Sequence, residues 1–80
     1  MSAKAGEYFQ VAWQGPAYQS DYITVALSGD SPGRYDNYAY THRGSPARLK
    51  APTKPGEYEV RYIMARGTKI LAKRALKVIK

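Results

Sequence analysis

Eighty residues without a cysteine make one small domain, 1–80, that can hold neither a disulfide nor a thiolate metal site. The net charge is +7, there is a single histidine, and no apolar run nears the roughly 20 residues of a membrane-spanning helix. Packing must therefore carry stability, and Trp13, Phe9 and eight tyrosines supply large rings for it.

The charge is uneven. Lys4 and Arg34 oppose Glu7, Asp21, Asp30 and Asp36 in the first forty residues, whereas the second forty hold eleven Lys and Arg against Glu57 and Glu59. A basic half of this kind invites nucleic acid or another polyanion. The same cations also serve small β domains as edge-protecting charges on solvent faces.

In chain order, "MSAKA" (1–5) lacks the apolar stretch of a signal peptide and reads as a disordered or tag-like lead. Breaks rich in Gly, Pro, Asn and Asp then recur at 14–21, 28–33, 42–46, 51–56 and 65–69, separating short runs rich in Tyr, Val, Ile and Thr. Turns at this spacing predict an all-β sandwich or barrel. In "YFQVAWQ", Phe9, Val11 and Trp13 share one face of a first strand. Ile23, Val25 and Leu27 alternate in "DYITVAL", Tyr38 and Tyr40 in "NYAYT", and Leu49 lies between Arg48 and Lys50. In "GEYEVRYIM", Tyr58, Val60, Tyr62 and Met64 line one side against Glu57, Glu59 and Arg61 on the solvent side. The two Gly-Glu-Tyr triplets, at 6–8 and 56–58, are not a repeat. Tyr58 is in phase with its inward set, and Tyr8 is out of phase by one residue.

The last run, 68–80, fits two templates. Wound as a helix it is basic and amphipathic. As a strand it follows the long 56–64 run across a short Gly67 turn, and a β-bulge near Lys73–Arg74 restores its alternation. The hairpin is the preferred reading.

Pro55 to Tyr62 is the most specific local pattern. In immunoglobulin-like sandwiches a tyrosine near the start of the penultimate strand turns its hydroxyl back onto the preceding corner, two residues before a cysteine in antibody domains. Tyr58 occupies that place, with Val60 where the cysteine would be. Together with Trp13-Gln14-Gly15-Pro16, Asp21-Tyr22-Ile23 and Tyr38-Ala39-Tyr40-Thr41, it makes the chain from Gly6 to about Ile79 resemble a small module of bacterial exported proteins. That module is found at the C-terminal end of von Willebrand factor A-domain (calcium-activated chloride-channel-like) proteins. The resemblance implies a small immunoglobulin-like or fibronectin-III-like sandwich of about six or seven antiparallel strands. It also implies a periplasmic or extracellular setting and a non-catalytic structural or protein-interaction role without a cofactor. A strand that usually precedes the segment matching Ala5-Gly6 is missing, which leaves a sheet edge open to pairing, including homodimerisation. The expected core is Phe9, Val11, Trp13, Ile23, Val25, Leu49, Tyr58, Val60 and Tyr62, with Trp13, Tyr58, Val60 and Tyr62 as its structural markers.

No catalytic motif stands out. His42 has no nucleophile pattern around it, and Glu57 and Glu59 share a solvent-facing strand side unsuited to acid catalysis. Asp21, Asp30, Asp36 and Asn37 lack calcium-loop spacing and read as turn formers. Two binding candidates remain. Arg66, Lys69, Lys73, Arg74 and Lys77 form the densest cationic strip, suited to phosphates or an acidic protein. Tyr35, Tyr38 and Tyr40, flanked by Arg34, Arg43 and Arg48, form either core or an outward platform for bases or sugars, and the resemblance favours core or a half-buried rim.

Overall fold

Among the described residues, seven strands form two sheets, and one 3-10 turn is the only other regular element. The structure is a computed structural model that describes residues 1–18 and 20–80. In chain order the strands are β1 (Ser2–Lys4), β2 (Tyr8–Val11), β3 (Tyr22–Leu27), β4 (Asn37–Tyr40), β5 (Ala47–Lys50), β6 (Gly56–Met64) and β7 (Lys69–Ile79), with the 3-10 turn at Thr41–Arg43. The five-stranded sheet runs β1-β7-β6-β3-β4, and β2 pairs with β5 in the second sheet. The result is a small β-sandwich with extents of 34 × 23 × 15 Å.

Alternation decides what fills the space between the sheets. Ile23 and Val25 of β3 lie opposite Tyr62 and Val60 of β6, and Tyr58, Leu76 and Val78 extend that face. The small sheet answers with Val11, Ala47 and Leu49, all buried in the same cluster. Phe9 and Trp13 pack on its margin, partly buried. The Tyr58 hydroxyl donates to the Lys54 carbonyl at 2.7 Å, tying β6 to the corner before it as expected.

Several sequence expectations are corrected. The first five residues do not trail free: β1 runs parallel to the end of β7, with Ser2 opposite Lys77 and Lys4 opposite Ile79. The sheet is therefore mixed, not wholly antiparallel. Trp13 lies beyond the end of β2, because its backbone N–H donates to the Ser45 hydroxyl and not to a strand ladder. Its ring tilts against Tyr62 at 5.8 Å, and its indole N–H donates to the Gly44 carbonyl at 3.1 Å. The last run is a strand, but its bulge lies earlier than expected. Tyr62 opposes Ala72 while Ile63 opposes Ile70, so Leu71 is the extra residue.

Arg61 is not on a solvent face. It is 2 % exposed, paired with Glu59 at 3.0 Å, and its guanidinium donates to the carbonyls of Ser31 and Leu27. Those carbonyls place the 28–36 loop over this patch of the outer face, where Ala26 and Ile63 are also buried. Thr24, opposite both Tyr38 and Arg61, is buried there too. Its hydroxyl has no hydrogen-bond partner among the described residues.

One polar cluster anchors the β2–β3 connection. Asp21 is buried and accepts from the Tyr62 hydroxyl at 2.9 Å, the Tyr18 N–H and the Ala65 N–H. The Tyr62 hydroxyl in turn accepts from the Ala17 N–H at 2.7 Å. Gly15 is required beside it, since a Cβ there would stand 2.5 Å from the Tyr62 ring. Asp21 is thus a turn-anchoring side chain, in keeping with its reading as a turn former.

Candidate functional site

Because Ile23 of β3 opposes Ala39, the neighbouring Tyr38 and Tyr40 of β4 must point the other way, onto the outer face of the large sheet. They are 45 % and 39 % exposed, and Tyr35 is 41 % exposed. The core reading of these tyrosines is corrected: alanine takes the inner side of β4, and the rings remain at the surface. They pack edge to face, Tyr35–Tyr38 at 5.6 Å and Tyr38–Tyr40 at 5.3 Å, around the half-buried Tyr22. His42 stacks on Tyr40 at 5.5 Å and extends the row.

Burial raises the Tyr22 hydroxyl above its ordinary pKa, and the neighbouring Tyr35 and Tyr40 add to the shift. Burial likewise raises Tyr58, reinforced by the Asp36 charge. Tyr62 is raised by burial first and by its hydrogen bond to Asp21 second. All three stay neutral across the ordinary pH range.

The edge strands β4 and β5 come together on one side of the sandwich, where the Lys50 N–H donates to the Asn37 side-chain carbonyl at 2.9 Å. Along this seam lies a cleft of about 500 Å³ lined by Tyr8, Tyr38, Tyr40, Arg43 and Arg48, with Ala39, Pro46 and Ala47 behind them. Arg48 lies over the Tyr8 ring at 4.1 Å. None of the lining residues is acidic. The cleft therefore presents phenol edges and two guanidinium groups, a set of hydrogen-bond donors suited to an oxyanion.

Three of the candidates read from sequence, Tyr38, Tyr40 and Arg43, meet here, and Tyr35 adjoins them through Tyr38. Tyr8 was missed as a site residue, and Arg48 was read only as a flank of the tyrosine row. The available sign was their phase: Tyr8 is one residue out of step with Phe9, and Arg48 alternates with Ala47 and Leu49, so both point away from the core.

The cationic strip does not form one surface. Lys73 and Lys77 oppose Arg61 and Glu57 and share the outer face, while Arg74 opposes Val60 on the inner side. Lys69 opposes Met64 beyond the bulge, and Arg66 lies in the turn between β6 and β7. Lys73 stands 3.9 Å from Glu59.

Among the described residues no group of three or more His, Cys, Asp or Glu side chains is arranged to hold a metal ion, and no helix is long and apolar enough to cross a membrane. No family model, curated protein or solved structure matches the chain.

Proposed function

We propose that this domain is a non-catalytic interaction module that takes an oxyanion-bearing partner in the seam cleft between β4 and β5. The observation that carries the reading is the convergence of Tyr8, Tyr38, Tyr40, Arg43 and Arg48, from three separate segments, around a concavity without a carboxylate. Exposed rings packed this way leave apolar surface in water, which a domain short of core gains nothing from by itself. The rings stand nearly perpendicular to one another, and Arg48 already covers Tyr8. Hydroxyl edges and guanidinium groups are thus more available than flat faces. That favours carboxylate, sulfate or phosphate groups over stacked bases.

An immunoglobulin-like or fibronectin-like identity is part of the proposal. The pairing of the second with the fifth strand, the adjacency of β3, β6 and β7 and the Tyr58 corner bond support it. With it comes the resemblance to a module of larger exported bacterial proteins, and so a periplasmic or extracellular setting.

The test is titration of the labelled domain with heparin and with a short single-stranded oligonucleotide at about 50 and 200 mM salt, following backbone amides. Shifts centred on Tyr8, Tyr38–Arg43 and Arg48 that persist at the higher salt are expected. The double change Arg43→Ala with Arg48→Ala should weaken binding at least about tenfold. A stronger response to heparin would mark a sulfated or carboxylated polymer, and a stronger response to the oligonucleotide would mark phosphate. Diffuse shifts that vanish at the higher salt would defeat the reading.

A further inference from the structure

A second surface, independent of the seam cleft, lies along β7. Only the end of this strand is covered: β1 pairs with Lys77 to Ile79, and Met1 bonds to the Lys77 N–H and the Ala75 carbonyl. From Lys69 to Arg74 no strand among the described residues lies on that side. Backbone groups along a strand alternate sides, so the residues in step with Lys77 point away from β6. The N–H and carbonyl of Lys73 and the N–H of Ala75 are therefore turned outward, ready for a partner strand.

Beside this edge the inner face is only partly covered. The small sheet stops at Val11, and past it Val11, Trp13, Ile23, Val60, Tyr62 and Ala72 border a groove of about 210 Å³, with Lys73 and Arg74 at its rim. The volume is below the roughly 300 Å³ at which small-molecule pockets begin, and it suits one or two apolar side chains.

Charge selects the occupant. Lys69, Lys73, Arg74 and Lys77 run along the edge, and no residue bordering the groove is acidic. A second copy of this chain would set those four cations against their own copies, on a molecule already at +7. We propose that the free stretch of β7 and its groove receive an extended acidic strand from a partner protein. Pairing would follow the β-augmentation mode. A carboxylate on one face of the incoming strand would meet Lys73, while an apolar side chain on its other face would enter the groove beside Trp13 and Tyr62. The homodimer expected from an open edge gives way to a heterologous partner.

A short capped peptide alternating glutamate with valine and leucine serves as the probe, with its lysine-for-glutamate counterpart as control. The acidic peptide should shift and protect the amides of Lys73 and Ala75, and the basic one should not bind. Ala75→Pro removes the outward N–H at an edge position that tolerates proline, and should weaken binding at least about tenfold. Lys73→Glu with Arg74→Glu should abolish binding while leaving the circular-dichroism melt close to the parent. Each of these results would overturn the proposal: no binding of the acidic peptide, equal binding of the basic peptide, shifts confined to the seam cleft, or a dimer in sedimentation. Parent-like binding by both variants would do the same.

Discussion

Tyr62 and Tyr40 are the same residue on neighbouring parts of one sheet, yet they meet opposite fates. Tyr62 is 5 % exposed, with its hydroxyl held between Asp21 and the Ala17 N–H. Tyr40 stands at the surface among other rings, with Arg43 beside it in the cleft. Both belong to alternating strands, so period alone does not separate them. What separates them is coverage: the small sheet and the 12–17 connection close over Tyr62, whereas on the outer face at β4 Tyr40 keeps 39 % of its surface exposed. The tyrosines that stabilise the domain and those available for binding are thus sorted by which side of the sheet they take.

That contrast can be broken most sharply by truncation. Tyr62→Ala should cost about 3–5 kcal/mol, because it opens a core cavity and strips Asp21 of a donor. For a domain of this size that is a large share of total stability. Tyr40→Ala should stay within about 0.5 kcal/mol, as surface changes do, while weakening any ligand of the cleft. Urea unfolding of the two variants measures both values, and comparable losses would show that the β4 row is structural.

A smaller change sharpens the account of the outer face. Thr24→Val replaces a buried hydroxyl that lacks a partner, so stability should rise by about 1 kcal/mol in the same unfolding assay. A loss would mean that the hydroxyl is satisfied in solution.

Alkaline pH tests the buried phenols with the least disturbance near neutrality. Folding raises the pKa of Tyr58 and Tyr62 above the ordinary value of about 10, so the native state holds those protons more tightly than the unfolded chain. Their contribution is fully present below about pH 10 and is lost as pH climbs through the raised values. Melting temperature should therefore fall above about pH 10, and Tyr62→Phe should flatten that fall.

Much of this arrangement was legible in the residues themselves. The turn spacing and the period-two runs predicted an all-β domain, and Ile23, Val25, Leu49, Tyr58, Val60 and Tyr62 are buried as that alternation requires. The corner bond of Tyr58 and the strand character of 68–80 followed from local pattern as well. Local sequence determines these features because a strand's faces are set by parity, and parity does not depend on distant neighbours.

Tertiary structure alone decided the rest. Which face of β4 is covered depends on its pairing with β3, and that sent Tyr38 and Tyr40 outward. The burial of Arg61 depends on a loop thirty residues earlier in the chain, and the separation of Lys69 from Lys73 and Lys77 depends on one extra residue at Leu71. The cleft joins Tyr8 to Arg48 and to Tyr40 only because two sheet edges meet there. Contacts across such sequence distances are fixed by how the sheets close on each other, and no periodicity within one strand encodes that closure.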